Sequence, residues 1–401
     1  MKTKFLLINL LLLFHSIDGS SQKIIKLAKN GFVSQVNYTS EIPFRYENKH
    51  IFIDVDVNGK TYNFLFDTGF DISAIDLNEF KNNGYKRVLK KKISGSSIEK
   101  KIVQFVEIPA IKIAEIDFNE IGAALMDLSF INKNYTCSEN PVIGVIGANL
   151  LRKANWQIDY KNRIIIFSDT ALNYNLSEKV IKIEMIPESW GSPSIYININ
   201  GIQKKFTLDT GSGGAITTNT EFEVKLNLSN NKAKYVSITK KDSFNNIITN
   251  YYVLIDQIQV GNLNLREQII SLEKGVSSLI GNEFFENFTI TFDWKNNALF
   301  LDSKKEMPIK NISDYEVILK PNYKNNKIEI NGFYNNHQTN KNHKIGTEIL
   351  TINNTNVSNL STQELCNFWN NEWEKIKMNE KITIETGTEK IELVKIDLLK
   401  K

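Results

Sequence analysis

Cysteine is almost missing from this 401-residue chain: there are two, Cys137 and Cys366. That excludes a disulfide-stapled framework, and the segments holding the two read as different domains, so a bridge between them is not favoured. Histidine is nearly as rare, at four. One lies in the N-terminal apolar run, and His50, His337 and His343 form neither a His-Glu-X-X-His helix nor a Cys/His grouping. No metal and no cofactor are expected. Charge of one sign is lacking too, with 49 basic against 45 acidic residues scattered among one another. A nucleic-acid footprint is therefore absent. Beyond the first twenty residues no stretch approaches eighteen apolar residues, so no membrane span is expected.

The one long apolar run has the build of a secretory signal. Lys2 and Lys4 precede Phe5–Phe14, and small or polar residues follow as far as Ile17-Asp18-Gly19. The expectation is an exported protein, periplasmic or extracellular/cell surface, with residues 1–19 removed. No cysteine stands near the end of the run, which argues against a lipid-anchored form.

What the chain does have is a repeat. Residues 51–69 read IFIDVDVNGKTYNFLFDTG and residues 193–211 read PSIYININGIQKKFTLDTG, a constant 142 residues apart. Ile53, Val55 and Val57 match Ile195, Ile197 and Ile199, Asn58-Gly59 matches Asn200-Gly201, and Phe64, Phe66 and Asp67 match Phe206, Leu208 and Asp209. A single Asp-Thr-Gly arises by accident in roughly one chain in twenty of this length. Two in the same strand–turn–strand frame do not. The downstream halves repeat as well: Val145-Ile146-Gly147 leads to Trp156–Asn162, and Leu279-Ile280-Gly281 leads to Ile290–Asn296. Between them, residues 108–118 resemble 255–265 as two strand-like segments around a turn. Each lobe is one unit used twice, the first with extra residues near Asn132–Asn140.

Apolar-Asp-Thr-Gly followed some 70 to 80 residues later by apolar-apolar-Gly resembles the motif set of the aspartic proteases, and each short lobe is similar to a retropepsin subunit. The chain resembles exported bacterial retropepsin-like proteins that end in a PDZ domain. The resemblance implies a shared dyad, with Asp67 and Asp209 catalytic, one from each lobe. It implies that Thr68 and Thr210 lock the two active-site loops together, and that Gly69 and Gly211 let the backbone turn beneath the carboxyls, with Ser212 as further loop support. Two carboxyls about 3 Å apart hold one proton between them. The ionised member can then deprotonate a water while the other protonates the scissile carbonyl, with no covalent intermediate. Phe70 departs from the pattern. Where such enzymes carry Ser, Thr or Ala after the glycine, lobe one has a bulky ring that either packs into the core or crowds the dyad. Asp159 and Asp293 repeat as faithfully as the dyad, but each precedes an aromatic-Lys-Asn turn signal and reads as structural.

Two hairpins are flap candidates: Lys91–Gln104, with its tip at residues 94–97, and Val236–Tyr252, turning at residues 243–246. Either reads equally well as an ordinary exposed hairpin. From Lys344 the chain resembles the strand, turn, strand and helix of a PDZ domain, with Ser361 to Glu364 as a capping box and a closing hairpin over 381–396. No Gly-apolar-Gly-apolar loop precedes it. The tail is therefore either a site for a peptide C-terminus or a packed structural module. Residues 22–48 are not clearly part of either repeat and are expected either to add a strand or to cross over between the lobes.

The expected architecture is mainly β: two retropepsin-like or pepsin-like acid-protease β-barrel lobes in one chain plus a small PDZ-like α/β domain. Its bounds are 1–19 for the signal, 20–174 and 175–305 for the lobes, and 306–401 for the tail. The partner expected is a polypeptide substrate, and the chain is expected to be a monomer, since joining the lobes makes their pairing intramolecular. The function expected is endopeptidase hydrolysis, the alternative a peptide-binding scaffold that keeps the fold without turnover.

Overall fold

The computed structural model describes residues 19–94, 100–134, 140–172, 177, 180–226, 235–241, 247–303, 313–334 and 344–397. The signal-like segment before Gly19, the tips of both flap candidates, Cys137, His337 and His343 lie outside them. The described chain is mainly β, built as barrel-like sheets.

Each lobe begins with the repeated hairpin. In lobe one His50–Val57 pairs with Lys60–Phe66, and in lobe two Ser194–Ile199 pairs with Ile202–Leu208. The turns are Asn58-Gly59 (φ 55° and 76°) and Asn200-Gly201 (φ 47° and 86°). Positive φ at both central residues matches the strand twist, which is why Asn-Gly stands there twice. The apolar alternation then buries Ile53, Val55, Phe64 and Phe66 in lobe one and Ile195, Ile197, Phe206 and Leu208 in lobe two.

The order of the remaining strands is the same in both sheets. Val142–Ile146 runs parallel to Lys60–Phe66 and antiparallel to Ala74–Asp76. Leu279–Ile280 does likewise with Ile202–Leu208 and Ile216–Asn219. The long pairs Lys100–Ile113 with Ile116–Met126, and Ile247–Val260 with Leu263–Glu273, complete each lobe. The flap candidates pair as hairpins at their bases, Lys86–Ser94 with Lys100–Ile113 and Tyr235–Lys241 with Ile247–Val260.

A six-stranded sheet bridges the lobes, three strands from each half. At its centre Asn155–Asp159 pairs antiparallel with Thr289–Asp293, and Gln157 faces Thr291. These two residues are equivalent in the repeat, so the pseudo-two-fold axis passes between them, and the Gln157 amide donates to Thr291 Oγ1 at 3.0 Å. Against the sheet Trp156 stacks on Phe167 (centroids 4.6 Å apart), with Phe66 and Phe118 on its flanks. Asp159 and Asp293 cap the turns after their strands, each accepting from the N–H and side-chain amide of the asparagine three residues on.

The N-terminal stretch adds a strand, one of the two roles the sequence left open for it. Thr39–Pro43 forms one edge of the bridging sheet and Ile181–Glu184 forms the other. Ile42 pairs with Ile165 and Ile183 with Leu299, equivalent places, so residues 39–43 belong to the repeat after all. Before them Gly19–Lys29 is a helix that buries Leu27 and Ala28 on lobe one. The sequence reading assigned no helix there.

In the tail, Ser313–Tyr315 pairs with Lys390–Asp397, Val317–Asn322 with Lys327–Tyr334, and Lys381–Glu385 with Lys390–Asp397. A helix covers 362–376 with a π-helical turn at Phe368–Glu372, and Ser361 and Glu364 form the capping box at its start. Lys327–Tyr334 also pairs antiparallel with Tyr235–Lys241, so the tail extends the lobe-two sheet to ten strands.

Candidate active site

Each Asp-Thr-Gly follows a buried strand and is pinned by the apolar-apolar-Gly strand beside it. The Asp67 N–H donates to Ile146 O at 3.0 Å, and the Asp209 N–H to Ile280 O at 2.8 Å. Gly147 and Gly281 then pass under the loops, where a Cβ would run into Phe70 O in lobe one and into Ser212 O and Gly214 O in lobe two.

The threonines join the loops across the axis. Thr68 Oγ1 accepts from Thr210 N at 3.0 Å and donates to Leu208 O at 2.7 Å. Thr210 Oγ1 accepts from Thr68 N at 3.0 Å and donates to Phe66 O at 3.0 Å. Both threonines are fully buried. This brings the carboxyls of Asp67 and Asp209 into hydrogen-bonding reach of each other. Gly69 and Gly211 donate backbone N–H bonds to Asp67 Oδ1 (2.8 Å) and Asp209 Oδ1 (2.9 Å). Each glycine also lies against the opposite lobe's carboxyl, so closely that a Cβ would overlap it. Here glycine is required by close approach, not by backbone twist.

Burial pushes Asp67 well above the usual carboxylate range, and the facing Asp209 charge and their shared hydrogen bond add to it. Burial raises Asp209 as well, but the hydrogen bond from Asp67 and the N–H groups of Gly211 and Ser212 oppose the rise. Two carboxyls this close and this buried hold one proton between them and titrate as a pair.

Phe70 does not crowd the dyad. Its ring packs against an apolar cluster with Ile72, Val103, Phe105 and Leu128, and its N–H faces Asp67. Ser212 differs from the resemblance in one respect. Its N–H supports Asp209, whereas its hydroxyl accepts from Gly214 N at 3.4 Å instead of reaching the carboxylate.

Two residues around the dyad escaped the sequence reading. Asn282, fully buried, donates to Thr210 O (2.6 Å) and Lys49 O (2.7 Å) and accepts from Tyr160 OH (2.7 Å), tying the Asp209 loop to lobe one. Its repeat counterpart is Ala148, so the repeat gave no signal for it. His50 lies beneath the same loop, beside Gly211 and Gly213, with Nδ1 at 2.7 Å from Asn48 O. Burial lowers its pKa to about 4, so the ring is neutral around pH 7.

The arrangement sets two buried carboxyls, one from each lobe, within hydrogen-bonding reach of each other, so that one proton shared between them leaves an acid and a base side by side. Residues 53–150 match the family model described as aspartyl protease, about a quarter of the chain. No curated protein matches the chain. The matched segment runs from the strand before Asp67 to the short helix after Gly147, and over it lobe one is similar to the aspartyl proteases.

Proposed function

We propose that the chain is an aspartic endopeptidase that hydrolyses extended polypeptides, with Asp67 and Asp209 as its catalytic pair. The observation that carries the reading is the reciprocal threonine lock, which sets two identical Asp-Thr-Gly loops face to face with their carboxyls in hydrogen-bonding reach. In this reading Asp209 takes a proton from a water bound between the carboxyls, and that water attacks the scissile carbonyl carbon. Asp67 gives its proton to the carbonyl oxygen, leaving a gem-diol. Collapse of the gem-diol returns a proton to the leaving amine and releases both peptide products, with no bond to the enzyme. The backbone N–H groups of Gly69 and Gly211 hold the carboxyls in place throughout.

The substrate lies as a β-strand between the lobes, beneath the two hairpins. We further propose that residues 1–19 are removed as the chain is exported, that the lobes divide near 174, and that the protein acts as a monomer. The tail keeps the PDZ-like reading on the order of its strands and helix. Among the described residues only Glu316 stands between Ser313–Tyr315 and Val317–Asn322, and on that ground we favour a packed structural module over a site for a peptide C-terminus.

The test is cleavage of an unfolded protein mixture from pH 3 to 8 by the mature chain beside Asp67→Asn and Asp209→Asn. Proteolysis lost in both variants and blocked by a statine-type mimic supports the shared dyad. Well-folded protein that cuts nothing at any pH, or cuts equally well in both variants, overturns it in favour of a peptide-binding scaffold.

A further inference from the structure

The two lobes share their strands but differ beside the dyad. At the repeat's spacing Phe70 corresponds to Ser212, Ile72 to Gly214 and Ile75 to Thr217. Ile75 pairs with Leu125 as Thr217 pairs with Ser271. In lobe one these places are apolar and filled, with Ile72, Ile75 and Leu125 buried and the Phe70 ring packed on its cluster. In lobe two the same places carry small or hydroxyl side chains, and a cavity of about 470 Å³ opens next to Ser212, three residues past Asp209. That falls within the range of roughly 300–1,000 Å³ typical of ligand pockets.

One wall of this cavity comes from outside the lobes. Ser313 and Asp314 of the tail line it together with Lys240 and Glu273 of lobe two. They are held there by the strand pairing of the tail on the lobe-two hairpin, where Ile238 faces Tyr334 and Lys240 faces Gly332. Gly332 is packed so closely that a Cβ would run into Thr239 O. Tyr334 OH donates to Asp314 Oδ2 at 2.9 Å, fixing the carboxyl that faces the cavity. The remaining wall is mixed, with Ile216, Ile269 and Leu279 beside Thr217, Tyr252, Ser271 and Glu283. Lys240 and Glu273 sit 3.8 Å apart and offset each other, and Asp314 and Glu283 add carboxyls to the lining, which suits a side chain with a donor at its polar end.

We propose that this cavity is a side-chain pocket for the polypeptide substrate, that it takes a long side chain with an apolar stem and a polar end, and that the tail's Ser313 and Asp314 are specificity-determining. The inference rests on the peptidase reading above. It gives the tail a role in cleavage itself, because the lobe-two cavity takes one wall from Ser313 and Asp314, whereas the equivalent places in lobe one are taken by Phe70, Ile72 and Ile75.

The experiment uses the full mature chain and peptides that differ at one residue, Arg, Gln, Tyr, Leu or Ala. Cleavage is read as kcat/KM for the wild type, Ser313→Trp and Asp314→Asn, and binding is read on an Asp209→Asn background with the same peptides. Ser313 is exposed, so its tryptophan variant keeps the wild-type unfolding midpoint while narrowing the pocket. The wild type should favour the long polar-ended residues over Ala by roughly 10- to 200-fold at one position. Ser313→Trp should bring that ratio close to one, mainly through KM, and Asp314→Asn should reorder Arg against Gln. A ratio in Ser313→Trp equal to the wild type's overturns the pocket even if cleavage is robust. If the wild type cuts none of the peptides the hydrolysis reading fails, and the pocket is then judged by binding: selective binding that Ser313→Trp abolishes upholds it, and equal binding of all peptides overturns it.

Discussion

Thr210→Val probes the lock between the lobes with almost no change in shape. The valine fills the same volume, so no cavity opens, but the hydroxyl's two bonds are lost. Thr68 N–H and Phe66 C=O, 3.0 Å from that hydroxyl on either side, are left facing a methyl group. A buried polar group stripped of its partner costs roughly 1–3 kcal/mol, so the two together cost about 2–6 kcal/mol. The lobes stay joined through the bridging sheet and the loop can shift only slightly, so we expect a value near 3 kcal/mol, at the lower end of that range. Thr68→Val should match it, because its hydroxyl makes the mirror-image pair of bonds to Thr210 N and Leu208 O. The hydroxyls share no partner atom, but they serve one interface. The double variant should therefore fall short of the sum by about 0.5–3 kcal/mol. The assay is equilibrium urea unfolding followed by the fluorescence of the buried Trp156 and Trp294. A Thr210→Val chain within about 0.5 kcal/mol of the wild type, the size of an ordinary surface substitution, would refute the lock as a structural device. So would a cost that falls on only one of the two threonines.

Other expectations concern protons and the second lobe. Asp67 is raised by burial and by Asp209, so the fold is favoured when it is protonated and loses stability as pH rises through its folded value. Asp67→Asn should thus abolish cleavage yet unfold at a higher temperature than the wild type at pH 7, and a lower midpoint there would contradict the strain assigned to the pair. His50 has the opposite sign: its pKa falls from 6.5 to about 4 on folding, so the unfolded chain binds more protons in that window and stability drops as pH falls through it. The loss amounts to about 3 kcal/mol below pH 4, and His50→Gln should flatten the stability profile between pH 6.5 and 4. An unchanged slope would exclude His50 as its source. Asn282→Ala strips three partners, Tyr160 OH, Lys49 O and Thr210 O, and should cost about 3 kcal/mol or more while lowering kcat. A variant of wild-type stability would show that water replaces the amide.

Much of the scaffold was legible because its signals are local. Asn-Gly between alternating apolar residues specifies a hairpin without any distant contact, and it occurs twice at one spacing. Gly147 and Gly281 were readable as part of the repeated motif, although what requires them is a distant contact, the Asp-Thr-Gly loop that leaves no room for a Cβ where they pass. The helix at Gly19–Lys29 was readable in retrospect, from Ile24, Leu27 and Ala28 at helical spacing, but it stands beside the signal-like run and was passed over. Residues 39–43 had no comparable signal. Their membership in the repeat lies in which strand they pair with, and Thr39–Pro43 shares only Ile42 in register with Ile181–Glu184.

The amino-acid sequence by itself determined the two equivalent lobes, their hairpins and the two aspartates, because period, turn chemistry and motif act over a few residues. Only the tertiary structure decided what surrounds them. The direction of the Phe70 ring, the place of Asn282 and His50 under the Asp209 loop, and the seating of the tail on the lobe-two hairpin all depend on residues up to 233 positions apart in the chain meeting in one packed volume. A side chain's burial and its pKa belong to that volume rather than to its neighbours in sequence, which is why both aspartates are raised above the usual carboxylate range and share a proton as a pair.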